Sequence, residues 1–196
     1  MDKQLAAKQI IEQALPLVPF EGWTQATLSK AAHAAGYRKT DAIRVFPNGA
    51  IEAVDCFMQQ GDEELVARLQ SYSLDTMKIR ARIATAVRLR IELHAEHREA
   101  LRKAVTMQSL PFYAMHGMKN LYRTVDTIWH GIGDNSTDFN FYTKRLTLAA
   151  VYTATVLFWL DDTSPSQEAS WAFLDRRIED VMKIEKAKQK IRSWVA

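Results

Sequence analysis

His94-Ala95-Glu96-His97, with Glu92 just upstream, is the one group in this sequence with the donor types of a metal site. His94 and His97 can share a helix face, but zinc takes three or four protein donors. No third donor follows at a recognisable spacing, so the pair reads as surface histidines at a helix end, with no metal. Asp161-Asp162 and Asp175 lie near a helix boundary and read as solvated charges. The sequence has no phosphate-cradling glycine loop, G-x-S-x-G elbow, dinucleotide fingerprint or Cys/His catalytic pattern. Cys56, the single cysteine, sits among apolar neighbours as a small buried hydrophobe. No residue stands out as a catalyst, no cofactor is expected, and the chain reads as not an enzyme.

More is carried by soft and aromatic side chains. Met107, Met115, Met118, Leu121, Tyr122, Tyr152, Val156 and Trp159 fall on two consecutive helical stretches. Taken singly, most are ordinary core. As a group they suit a cavity whose contents vary in shape, because methionine is flexible and polarizable and apolar hollows between bundled helices are common ligand sites.

The elements that would position them are helical throughout. Only seven glycines and five prolines punctuate 196 residues, too few for a succession of hairpins. About nine helices are expected: Lys3–Leu17, Thr24–Ala34 ending at Gly36, Lys39–Val45, and Ala50–Tyr72 with a weak point at Gly61. Then follow Thr76–His94 with an arginine-rich face, His97–Met107, and a helix from near Pro111 to Gly131. The eighth starts after several N-cap candidates in Asn135-Ser136-Thr137-Asp138, and from Leu146 onward it is apolar nearly all round, which predicts burial on every side. The last opens on the capping box Ser164-Pro165-Ser166-Gln167. Three units are read: residues 1–47, 48–164 and 165–196.

Thr24 to Tyr37 reads as the first helix and turn of a helix-turn-helix, and the amino-terminal segment resembles the DNA-binding domain of TetR-type repressors. A repressor with a hydrophobic ligand is therefore the alternative function. Lys30, Arg38, Lys39 and Arg44 favour it electrostatically. Its phosphate contacts, however, are replaced by Asp41, Ile43 and Val45, and Gly49 stands where such repressors often carry lysine. A carboxylate facing phosphates is repelled, so no nucleic acid is expected as a partner.

The final helix carries the stripe Trp171, Leu174, Ile178, Val181 and then turns basic. Lys183, Ile184, Lys186, Lys188, Ile191 and Trp194 have the composition of an amphipathic helix on an anionic membrane surface. The most apolar stretch, Leu146 to Leu160, falls short of the roughly 20 residues of a spanning helix. The protein is expected to be soluble or to lie on a membrane.

Ser136-Thr137-Asp138-Phe139-Asn140-Phe141-Tyr142-Thr143-Lys144-Arg145 and Leu157-Phe158-Trp159-Leu160-Asp161-Asp162 resemble the ubiquinone-biosynthesis accessory protein family. Gly22-Trp23, Val125 to Trp129 and Trp171 to Ile178 extend the likeness over nearly the whole chain. The resemblance implies an all-α, TetR-like fold that does not act as a repressor, a bound isoprene-type lipid, a homodimer and a membrane-touching last helix. It implies presentation of a polyprenylated quinone precursor to its hydroxylase through Asp138, Phe141, Tyr142 and Arg145, with Trp129 beside them. Phe141 departs from the tryptophan of animal members. With no transit segment read at the amino terminus, a bacterial protein is expected, cytoplasmic and peripheral to the inner membrane.

Overall fold

A computed structural model describes the backbone of residues 2–134 and 139–195 and the side chains of residues 2–134 and 141–183. It contains ten α-helices and no strand among the described residues: α1 Lys3–Ala14, α2 Val18–Glu21, α3 Gln25–Ala34, α4 Asp41–Val45, α5 Ala50–Leu69, α6 Ile79–Glu92, α7 Arg98–Gln108, α8 Ala114–Gly131, α9 Phe139–Asp161 and α10 Glu168–Val195. The predicted all-α class holds. The Asn135-to-Asp138 caps lie outside the described residues.

Local chemistry sets most of the ends. The Asp2 carboxylate accepts from the amides of Gln4 and Leu5, and Thr24 Oγ1 from Thr27 N. At the end of α3, Gly36 has φ of 83° and Tyr37 N donates back to Ala32 O, a Schellman closure. The first predicted helix is two, because Pro16 lacks the N–H that continues a helix and Pro19 starts the short α2. The predicted start at Ser164 also shifts. Ser166 and Gln167 have positive φ, so α10 opens at Glu168. Ser164 Oγ, the predicted cap, accepts from Ala169 N, and Asp162, read as solvated but buried here, accepts from Ser164 N, Ser170 N and Ser170 Oγ. These bonds hold the Asp162 carboxyl far below the usual carboxylate range.

The buried apolar side chains, Ile51 aside, form one continuous cluster from Ala6 to Ile178 among the described residues. Trp23 ties the amino-terminal helices to the rest, with Nε1 donating to Ala100 O at 3.0 Å and its ring 5.4 Å from that of Phe57. Inside this cluster sits a charge. Arg90 of α6, read as part of an arginine-rich face, is 0% exposed. It donates to Asp62 Oδ1 at 2.8 Å, Met58 O at 2.9 Å and His94 Nε2 at 2.5 Å. Asp62 also accepts from Arg123 Nε at 2.8 Å and Thr124 Oγ1 at 2.7 Å, so α5, α6 and α8 meet at one carboxylate. Gly61 is not a kink. Helix α5 runs through it, and a Cβ there would lie 2.8 Å from Arg90 Cζ, so glycine is what lets the guanidinium in. His94 is buried rather than exposed, and its ring packs 4.6 Å from Phe57. No metal-binding group of three acidic, histidine or cysteine side chains occurs among the described residues.

Asp62→Ala leaves Arg90 charged and unpaired in the core; chemical denaturation should register a loss of about 3–5 kcal/mol. Gly61→Ala should cost about 1–3 kcal/mol through overpacking, because three bonds pin the guanidinium it meets. Burial, then Arg90 and His97, holds His94 well below the ordinary imidazole value. The unfolded chain therefore takes up a proton that the native state refuses once pH falls below about 6.5. Stability should decline on acidification from there by up to about 1.4 kcal/mol per pH unit, and His94→Gln should flatten that slope in denaturation curves taken from pH 7 to pH 5.

Candidate lipid hollows and the outer face of the bundle

Helix α9 is walled by two hollows. The larger, about 360 Å³, is a trench bounded by Ile79 and Ile83 of α6, Trp129 of α8, Thr143, Lys144, Thr147, Leu148 and Val151 of α9, and Ile178, Val181 and Met182 of α10. Its walls are chiefly aliphatic. At one side Lys144 Nζ lies 5.5 Å from the centre of the Trp129 ring. The smaller hollow, about 200 Å³, lies between α5, α7, α8 and α9 and is lined by Met58, Leu101, Val105, Gln108, Asn120, Leu121, Thr124, Tyr152, Val156 and Leu157 among others.

Of the residues expected around a lipid, Leu121, Tyr152 and Val156 reach the smaller hollow. Trp159 is packed in the core beneath the Arg98 guanidinium, 4.7 Å from its ring centre, and Met107 is half-buried against the cluster. Met115, Met118 and Tyr122 are exposed. The reason is periodicity. Asn120, Thr124, Val125, Ile128 and Trp129 form the inward face of α8, and the methionines occupy its other side. Helix α9 likewise fails to bury itself all round, since Leu146, Leu157 and Phe158 are exposed. The trench residues Ile79, Ile83, Leu148, Val151 and Val181 were missed. Ile79/Ile83 and Ile178/Val181 are i,i+4 and i,i+3 pairs, a legible signal of apolar faces, but nothing local says that they face one another.

The predicted partner patch separates into parts. Tyr142 points outward, 70% exposed, with Phe141 half-buried against it in an edge-on contact of 5.1 Å. Arg145 is only 3% exposed: it donates to Asp126 Oδ1 at 2.7 Å, and its guanidinium lies 3.4 Å from the Phe141 ring centre. Trp129 is buried too, its Nε1 unpartnered among the described residues. Arg145 and Trp129 are thus buried, where a surface patch was expected. Asp138 lies outside the described residues.

Two α7 arginines close the far end of α9. Arg98 donates to Leu160 O at 3.1 Å and to Trp159 O, and Arg102 pairs with Asp161 at 2.8 Å and reaches Leu160 O. Cations at the carbonyl end of a helix satisfy groups that have no intrahelical donor. Helix α10 then lays Leu174 and Ile178 into the core and stacks Phe173 on Phe158 at 4.6 Å. Lys183 projects from it and pairs with Glu179 at 3.1 Å. The side chains of Ile184, Lys186, Lys188, Ile191 and Trp194 lie outside the described set, although the helix backbone continues to Val195. Among the described residues no helix is long and apolar enough to cross a membrane.

At the helix-turn-helix, Asp41 is buried and clamps Arg38 through two side-chain bonds of 3.2 and 3.0 Å, with Arg44 3.7 Å away. That clamp holds the Asp41 carboxyl below its ordinary value. Val45 is buried, and Ile43 is exposed on a helix of five residues.

The fold matches a TetR transcriptional regulator from Nitrosomonas europaea with a TM-score of 0.72, over 88% of this chain and 95% of that one, at 18% identity. Residues 114–185 match the model of the COQ9 family. The mitochondrial ubiquinone biosynthesis protein COQ9 of Homo sapiens is 30% identical over 192 residues, 94% of this chain and 60% of that protein. The Xenopus tropicalis protein of the same name is 32% identical over 182 residues, covering 89% and 57%. A probable ubiquinone biosynthesis protein of Dictyostelium discoideum is 28% identical over 193 residues, covering 95% and 63%. The chain thus spans about 60% of the length of these relatives. The likeness read from the Ser136-to-Arg145 run is met again here: the chain is similar to the COQ9 family across α8, α9 and the first part of α10, on a TetR-like fold.

Proposed function

We propose that this chain is a non-catalytic accessory protein of ubiquinone biosynthesis that holds an isoprenoid lipid and presents a polyprenylated quinone precursor to its hydroxylase at a membrane surface. The observation that carries the reading is the aliphatic trench of about 360 Å³ running between α6, α9 and α10. At roughly 0.8 kcal/mol per buried CH₂, a five-carbon isoprene unit gains about 4 kcal/mol on leaving water, enough to offset much of the cost of leaving a bilayer. The trench adjoins the part of α10 that leads into its lysine-rich end, which suits entry from an anionic lipid surface. Tyr142, exposed on the first turns of α9, is the aromatic anchor offered to the hydroxylase. The outward Met115, Met118 and Tyr122 of α8, with Leu146 and Leu157 of α9, suit a second copy of the chain. The names of the relatives support the pathway. Against a repressor stands the Asp41 clamp, which already engages the Arg38 guanidinium that a phosphate would need.

Protein purified under native conditions should carry isoprenoid lipid in its mass spectrum, and Thr147→Trp, which fills the trench, should lower its recovery several-fold without altering helicity. Lipid-free wild type would overturn the reading. Tyr142→Ala should weaken capture of the hydroxylase without moving the melting temperature. Arg145→Ala should lower that temperature first, by the loss of a buried ion pair; an unchanged melt would return Arg145 to the surface. Truncation after Met182 should reduce flotation with anionic vesicles more than with neutral ones.

A further inference from the structure

The smaller hollow is apolar but carries two stranded polar groups. Gln108, at the end of α7, is 8% exposed, and Asn120, on α8, is 1% exposed; both line the hollow. Gln108 Nε2 and Asn120 Oδ1 are buried without a hydrogen-bond partner, an arrangement that folded proteins ordinarily avoid.

The orientation of Asn120 is chemically determined. Its amide nitrogen lies 2.6 Å from Asp55 Oδ1, and an ionised carboxylate only accepts. The nitrogen must therefore face Asp55, which leaves the carbonyl oxygen as the free acceptor. Asp55 Oδ2 is engaged by His116 Nδ1 at 2.6 Å, so Asp55 has little freedom to release the amide. The nearby charges are already matched: Asp62, beside Thr124 on the wall, is met by Arg90 and Arg123. A charged ligand would find no uncommitted counter-charge there, and its own desolvation would oppose entry.

We propose that this hollow is a second binding site, separate from the lipid trench, for a neutral hydroxylated aromatic ring of the phenol class. Met58, Leu101, Val105, Leu121 and Val156 supply the apolar walls. The volume of about 200 Å³ suits a single ring, since a dry apolar cavity of roughly 150 Å³ takes benzene. The ring hydroxyl donates to Asn120 Oδ1, and an oxygen of the same group, or one next to it on the ring, accepts from Gln108 Nε2. This assignment goes beyond the accessory-protein reading and does not require it.

The test is titration of the full-length, ¹⁵N-labelled chain with phenol, toluene and benzoate. The expected result is saturable phenol binding that shifts the side-chain amide signals of Gln108 and Asn120. Toluene should bind at least tenfold more weakly, and benzoate should cause no shift. Gln108→Met keeps the volume and removes the stranded donor, so it should raise the melting temperature of the free protein while weakening phenol about tenfold. Val156→Phe, which fills the hollow, should abolish phenol binding with helicity retained. The proposal is overturned if phenol and toluene bind alike, if Gln108→Met leaves phenol affinity unchanged, or if no amide responds up to the solubility limit, which would leave the hollow to water. Wild-type recovery of isoprenoid by Gln108→Met would uphold two separate sites. Phenol binding by protein that purifies free of lipid would uphold this site while the lipid reading fails.

Discussion

A guanidinium with no exposed surface is the constraint around which this bundle is arranged. Arg90 cannot lose its proton, so the interior must supply both counter-charge and acceptors, and it does so from one neighbourhood. Asp62 and Met58 lie one turn apart on α5, His94 one turn along from Arg90, and Gly61 between the two α5 partners clears the space. Arg123 and Thr124 on α8 then satisfy the other demands of Asp62. A half-satisfied network of this kind would be worse than an apolar core. The angles of α5, α6 and α8 are therefore held more tightly than hydrophobic contact alone would hold them, since apolar packing is non-directional.

That rigidity explains where the hollows are. With α5, α6 and α8 locked by polar bonds, the bundle cannot slide to fill every gap, and α9 and α10 close over it as a second group. Arg98 and Arg102 hold the carboxyl end of α9, and Arg145 pairs with Asp126 near its start. Helix α9 is thus pinned at both ends. Along its middle it meets the trench on one side, through Leu148 and Val151, and the smaller hollow on another, through Tyr152 and Val156.

How much of this was legible in the sequence follows the range of the interactions. Short-range chemistry was readable: helix starts near Lys3 and Thr24, Gly36 as a left-handed terminator, the amphipathic first half of α10. What failed was every inference that depended on which neighbour a face would meet. Arg90 shares a helix with Arg80, Arg82 and Arg88, and nothing local distinguishes the one that is buried; only Gly61, some thirty residues away, carries the complementary signal. Asp162 looked solvated because its partners are amides and hydroxyls of a helix not yet begun. The methionines of α8 looked like cavity lining because an apolar face turned outward and one turned inward have the same period. The Ser136-to-Arg145 run carried the likeness but not the burial of Arg145, since a motif fixes residue types and not which of them face inward.

The amino-terminal helices make the same point about fold and function. Ile10, Ile11, Leu28, Ala31 and Val45 pack as a helix-turn-helix core, and Trp23 bonds that core to α7 through Ala100. None of those residues needs to touch DNA, so selection for packing alone preserves the shape. Asp41 is where the two demands part. Buried at the base of α4, it uses its charge to hold Arg38 and steady a helix of only five residues, too short to be stable by itself. The Asp41 carboxylate steadies α4 through Arg38, and Asp41→Asn would weaken that hold. The module packs α1 against α5 and α2 against α7, so it contributes to the fold whatever its outer surface meets.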